Sequence, residues 1–233
     1  MQIAIISDLH LSPETNTNIF AHDPYEFIRF LNYLESNFER IYLLGDIYDT
    51  LMSNKIGGDI DIFYKIIENN KEITNIFLKP NYYHISGNHD LITSDIFNAP
   101  EQEILDIDGI KILLTHGHQY GAFTNNLKFV GEFWTWLGGK LLKYGLDDIW
   151  QFIYDIDLKS CFRFNKSCPF QKWAIKELIN KDAEIIITGH THTGAVINHG
   201  NKLFMNSGTC IDGKYSYLSL DTKLQDFRLN TAW

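Results

Sequence analysis

Ile3-Ala4-Ile5-Ile6-Ser7-Asp8-Leu9-His10 is a short apolar, β-branched run that stops at Ser7 and two side chains able to bind a cation. Such a run reads as a buried strand, and the abrupt change to polar residues marks its end. Four further stretches repeat the arrangement. Residues 40–44 (RIYLL) run into Gly45-Asp46-Ile47-Tyr48-Asp49, and residues 82–86 stop at Gly87-Asn88-His89-Asp90. Residues 110–115 (IKILLT) end at His116-Gly117-His118, and residues 184–188 (EIIIT) end at Gly189-His190-Thr191-His192.

Between these strands, residues 24–39 place Phe27, Phe30, Leu31 and Leu34 at helical spacing, with Pro24 near the start. That pattern predicts an amphipathic helix. Residues 59–70 and 171–180 also read as helices, and residues 73–78 as an apolar, β-rich strand. Asp108-Gly109 is a tight-turn signal between strands at 103–107 and 110–115. Short strands follow at 194–197, 203–206 and 215–220, with Gly200, Asn201 and Gly213 in the turns. The expected fold class is α/β: a layered domain over residues 1–233, two sheets packed face to face between helices.

Composition narrows the function. The 233 residues carry 45% hydrophobic and 21% charged residues, ordinary for a globular chain. A net charge of −9 argues against broad, non-specific nucleic-acid binding, which needs a basic surface. The three cysteines, Cys161, Cys168 and Cys210, supply no disulfide framework, and reduced thiols in a cytoplasmic protein are expected. The apolar run at residues 3–6 is too short for a secretory signal, and no window approaches a membrane span.

Loops at the carboxyl ends of strands gather at one edge of a layered α/β fold and build its site. Imidazole, carboxylate and amide oxygen suit Mn²⁺, Fe or Zn²⁺. Asp-x-His and His-x-His on an extended segment put both side chains on the same side. The seven candidates Asp8, His10, Asp46, Asn88, His116, His190 and His192 exceed what one tetrahedral ion takes, and they suit two ions sharing a bridging carboxylate.

In kind and order, these five motifs resemble those of the calcineurin-like metallophosphoesterase family, over nearly the whole chain. The resemblance implies a two-sheet β-sandwich flanked by helices and a phosphoesterase using two divalent ions, Mn²⁺ first among them. It further implies that Asp8, His10, Asp46 and His192 hold one ion. Asp46 would bridge to a second, held with Asn88, His116 and His190. In similar proteins the histidine at the place of His89 orients substrate or protonates the leaving oxygen, a catalytic role. Asp49 and Asp90 are expected to orient neighbouring groups, and His118 either to approach substrate or to support His116.

Residues 123–154 hold Phe129, Phe133, Trp134, Trp136, Trp150 and Tyr154 at roughly helical spacing. They suggest a helical cap inserted at approximately 121–170, which encloses substrate, touches a membrane surface or merely packs. A cap there resembles that of the UDP-2,3-diacylglucosamine diphosphatases, which act on a lipid-linked nucleotide sugar, with Arg163 and Lys166 as candidate phosphate contacts. Two motifs depart from that branch, which carries Arg at the place of His89 and His-Gly-Asp at the place of His116-Gly117-His118. Nuclease and non-catalytic scaffold are the alternatives within the superfamily.

Overall fold

The computed structural model describes residues 1–13, 19–50, 59–120 and 168–233. The expected cap lies outside the described residues up to residue 167, and with it Arg163, Lys166 and the aromatic series.

Five strands make the first sheet: β1 (Gln2–Ile6), β2 (Arg40–Leu44), β3 (Tyr82–Ile85), β9 (Tyr217–Asp221) and β10 (Asp226–Asn230), in the order β10-β9-β1-β2-β3. β1, β2 and β3 are parallel, while β9 runs antiparallel to both β1 and β10. The second sheet has β4 (Gln102–Ile107), β5 (Ile110–Thr115), β6 (Ile185–Thr188), β7 (Ala195–His199) and β8 (Lys202–Asn206), ordered β4-β5-β6-β8-β7. Here β5, β6 and β8 are parallel and the two edge strands antiparallel.

Alternation along each strand explains the layering, because successive side chains point to opposite faces. Ile3 and Ile5 of β1 join Tyr42, Leu44, Ile112, Leu114, Ile185 and Ile187 in the core between the sheets. Ala4 and Ile6 face the other way, with Ile41 and Leu43, against Phe27, Phe30, Leu31 and Leu34 of α1 (Pro24–Asn37). Behind the second sheet, Leu113, Ile186 and Phe204 pack on Phe170, Ala174 and Leu178 of α5 (Pro169–Asn180). The result is helix, sheet, sheet, helix.

Residues 73–78 are not a strand. α2 (Asp59–Asn69) is followed by α3 (Lys71–Phe77), on which Ile73, Thr74 and Phe77 are buried. Those three positions lie on one face of a helix, and packing against α1 and α2 overrides the β-rich composition. Two short elements were not anticipated, α4 (Thr93–Phe97) and β10. The Asp108-Gly109 turn forms as expected, both residues at positive φ (53° and 80°), as a two-residue hairpin of this kind requires. Among the described residues, no helix is long and apolar enough to cross a membrane.

The parallel strands direct their carboxyl ends to one edge, and backbone bonds hold those ends in register. Asp8 N donates to Gly45 O at 3.1 Å and His10 N to Asp46 O at 3.0 Å, tying the ends of β1 and β2. Gly189 N donates to His116 O at 3.0 Å in the second sheet. Bonds also cross between the sheets, among them His116 Nδ1 to Leu44 O at 2.8 Å and His190 N to an Asp8 carboxylate oxygen at 3.2 Å.

Candidate metal centre

Asp8, His10, Asp46, His190 and His192 all adopt left-handed backbone, with φ between 50° and 67°. Each such residue costs about 1–3 kcal/mol unless its surroundings hold it. Here the conformation turns the chain back immediately after a strand, so that side chains two residues apart converge. Two glycines make the close approach possible. A Cβ on Gly45 would stand 2.6 Å from the His116 ring, and one on Gly87 would overlap the Asp46 carboxylate.

The convergent side chains form three groups whose donor atoms lie within 4.8 Å of one another: Asp8-His10-His192, Asp46-His116-His190, and a third, His10-Asp49-His89, that shares His10 with the first. In the first, His192 Nε2 stands 3.1 Å from Asp8 Oδ1 and 3.2 Å from His10 Nε2. In the second, His116 Nε2 is 3.1 Å from Asp46 Oδ2, which also lies 3.9 Å from His10 Nε2. Asp46 therefore sits between the first two groups. Asp8 and Asp46 are buried to within 2% of complete, and His116 is fully buried.

Electrostatics fit the same arrangement. Burial would raise the Asp8 and Asp46 carboxyls, yet the surrounding imidazoles hold both below the usual carboxylate range. Burial pulls the His116 imidazole down, but the Asp46 carboxylate overcomes it and lifts the pKa to about 10. At His10 and His190 burial, reinforced by the neighbouring His89 and His116 imidazoles, outweighs the nearby carboxylates and lowers them to about 4 and about 3. They stay neutral, the form that binds metals.

His89 stands beside this cluster, its ring 4.7 Å from that of His10. Its Nδ1 faces Asp49 Oδ1 at 3.1 Å, and its backbone N–H donates to Asp46 Oδ1 at 2.9 Å. Burial works against the imidazolium, but Asp46 and Asp49 outweigh it and raise His89 to about 9. Asp49 thus orients an imidazole. Asp90 does something else: its carboxylate accepts backbone N–H groups from Gly87 (2.7 Å), Ile47 (2.8 Å) and Tyr48 (3.3 Å), bracing two ligand loops against each other. His118 is buried, its ring 5.8 Å from that of His116, and burial followed by the His116 charge lowers it to about 4.

Several supporting residues escaped the sequence reading. Ser7 Oγ donates to the Asp8 carboxylate and lies 2.6 Å from Ser207 Oγ. Thr209 Oγ1 donates to Asp8 O at 2.9 Å, and Asn206 Nδ2 to Gly189 O at 2.6 Å. Thr50 Oγ1 donates to His89 O at 2.7 Å. Asn206-Ser207-Gly208-Thr209 follows β8 as the other motifs follow their strands, so position was the available signal.

A sequence model of the calcineurin-like phosphoesterase superfamily domain matches residues 1–132, more than half of the chain. The chain belongs to that superfamily. A protein of Blochmanniella pennsylvanica named UDP-2,3-diacylglucosamine hydrolase is 26% identical over 215 residues, covering 84% of this chain and 81% of the relative. One of the same name from Aliivibrio fischeri is 31% identical over 127 residues, 50% of this chain and 48% of the relative. A crystal structure of a Vps29 single mutant from Entamoeba histolytica superposes with a TM-score of 0.51 at 16% identity and covers 100% of both chains, a likeness of fold.

Calcineurin-like phosphoesterases depend on metal, and this chain has groups able to bind it. Donor atoms sharing one ion at about 2.1 Å stand roughly 3.0–3.4 Å apart in octahedral or tetrahedral arrangement. The 3.1 and 3.2 Å separations around His192 agree. Asn88 Oδ1 is buried with no hydrogen-bond partner among the described residues, a costly state that a cation relieves.

Proposed function

We propose that this chain is a phosphoesterase dependent on two divalent ions, hydrolysing a phosphomonoester, phosphodiester or pyrophosphate bond with water. The observation that carries this reading is the pair of ligand groups joined at Asp46, with His89 alongside. Asp8, His10, Asp46 and His192 would hold one ion. Asp46, Asn88, His116 and His190 would hold the other, with Mn²⁺ the proposed metal and Fe or Zn²⁺ acceptable to the same donors.

Two such ions supply Lewis acidity toward phosphoryl oxygens and lower the pKa of water. The chain's own residues do the rest. His89, tethered through Nδ1 to Asp49, would present its Nε2 proton to the leaving oxygen. His118, buried beside His116, would contact substrate or support His116. Asp90 keeps the loops carrying Asp46 and Asn88 at a fixed spacing.

A lipid-linked nucleotide sugar is the favoured natural substrate class, because the relatives named UDP-2,3-diacylglucosamine hydrolase include one aligned over 84% of this chain. His89 and the His116-Gly117-His118 motif depart from that branch and favour a leaving group that needs a proton. Purified chain assayed with Mn²⁺ should turn over bis-p-nitrophenyl phosphate or p-nitrophenyl phosphate. With bound metal verified, failure on both removes the general reading. A panel containing UDP-2,3-diacylglucosamine, other sugar nucleotides, cyclic nucleotides and single-stranded DNA then decides the substrate.

A further inference from the structure

A cleft of about 540 Å³ is lined by His192, by residues 213–216, and by Leu229 of β10 with residues 231–233 beyond it. That volume lies within the range of small-molecule sites. Its walls include Lys214, Tyr215, Leu229, Thr231 and Trp233. His192 belongs both to these walls and to the Asp8-His10-His192 group, so the cleft adjoins the candidate metal groups.

The aromatic wall is built before any ligand arrives. Trp233 packs at ring distances of 5.8 Å from Phe30, 5.9 Å from Tyr33 and 5.8 Å from Tyr215. Tyr215 is held in turn by His22 at 4.7 Å and Phe30 at 5.1 Å. Arg29 lies over the Trp233 ring at 5.5 Å. Even so, Trp233 remains 38% exposed, so part of its surface is open to a ligand. Among the described residues, nothing stands within 4 Å of where a Cβ on Gly213 would lie.

We infer that this cleft receives the nucleoside of a nucleotide substrate, with the base packed on Trp233 and Tyr215. The inference rests on the phosphoesterase reading above and adds which part of the substrate goes where. A base has apolar faces and a polar edge, and this cleft is lined by Tyr215 and Trp233 together with Thr231 and Lys214. An acyl chain has no polar edge, and it gains little from a cleft open to water along a rim of exposed residues 231–233.

The test compares the dissociation constants of UMP, decyl phosphate and inorganic phosphate for the full chain loaded with Mn²⁺, by calorimetry. Stacking on an aromatic side chain is worth about tenfold or more in affinity. UMP is therefore expected to bind at least about tenfold tighter than phosphate. Trp233→Ala should bring that ratio below about two, and Trp233→Phe should restore most of it. Thr231→Trp, an exposed position on the rim, should lower the ratio by obstruction and serves if Trp233→Ala fails to fold. Equal binding of UMP and phosphate by the unaltered chain overturns the inference. So does a ratio indifferent to both Trp233→Ala and Thr231→Trp, or an advantage for decyl phosphate that exceeds that of UMP and disappears with Trp233. A UMP preference that depends on Trp233, without turnover of any phosphate ester, upholds the cleft and removes the proposed reaction. Turnover without a UMP preference does the reverse.

Discussion

At the scale of single residues, His89 and Asp49 form the most testable pair. His89→Ala should keep the bound metal and lose about 10²–10⁴-fold in turnover, the usual worth of a positioned acid. Metal content measured beside the rate on bis-p-nitrophenyl phosphate checks this, and a variant that loses metal but not turnover denies the role. Asp49 is one of the two carboxylates that raise His89 to about 9 against the pull of burial. An acid works only while protonated, so the rate falls as pH rises through its pKa. Asp49→Asn should therefore move the alkaline limb of the pH–rate profile to lower pH, with metal content retained. Both residues stood out in the sequence because they lie in motifs at strand ends. Ser7, Asn206 and Thr209 did not, since a small polar residue in a loop has no periodic signature. The partner of Ser7, Ser207, lies 200 residues away.

At the scale of elements, local chemistry predicts most boundaries. Asp23 caps α1, its carboxylate accepting the Glu26 N–H at 3.0 Å, with Pro24 as the first helical residue. Asp23→Ala should cost about 1 kcal/mol, read as a lower urea midpoint with unchanged slope. A change in the slope would point to a broader rearrangement than the loss of one cap. α3 shows where local reading fails. Ile73, Thr74, Ile76 and Phe77 are strand-favouring types, but their spacing buries one helical face against α1 and α2. In seven residues the two periods are hard to tell apart, and the partner surface decides. β10 was missed because it is a half-buried edge strand, Asp-Phe-Arg-Leu-Asn, paired only with β9 in its sheet.

At the scale of the whole molecule, the buried histidines predict how the metal-free chain responds to pH. Burial lowers His10, His118 and His190 to between about 3 and about 4, from 6.5. The unfolded chain protonates them below 6.5 and the folded chain does not, so stability falls as pH drops from 6.5 toward 4. Asp90, raised to about 6 by burial and then Asp46, opposes this as a single group. His89 and His116 are raised to about 9 and about 10, with carboxylates outweighing burial. Their contribution is complete below 6.5 and is lost as pH rises through 9 and 10. The melting temperature after chelation should therefore peak near pH 6.5 and fall on both sides. Mn²⁺ should raise it by mass action and move the peak to higher pH, because His116 must release its proton to bind. Scanning calorimetry from pH 4 to 10 with and without Mn²⁺ reads both effects, and a peak that Mn²⁺ leaves in place would deny metal binding through His116.

The five strand-ending motifs and the layered α/β class were legible in the sequence. Each is written locally, as an apolar run of strand length followed at once by Asp, Asn, His and Gly. Tertiary structure alone decided the strand orders, with β9 beside β1 and β8 between β6 and β7. It also placed Asp46 between the two ligand groups, drew Asp8, His10, Asp46, His190 and His192 into left-handed backbone, and opened the cleft beside His192. Periodicity records which face of a segment is buried. Which segment covers that face is settled by packing and hydrogen bonds between residues as distant as Ser7 and Ser207, and no local pattern encodes those.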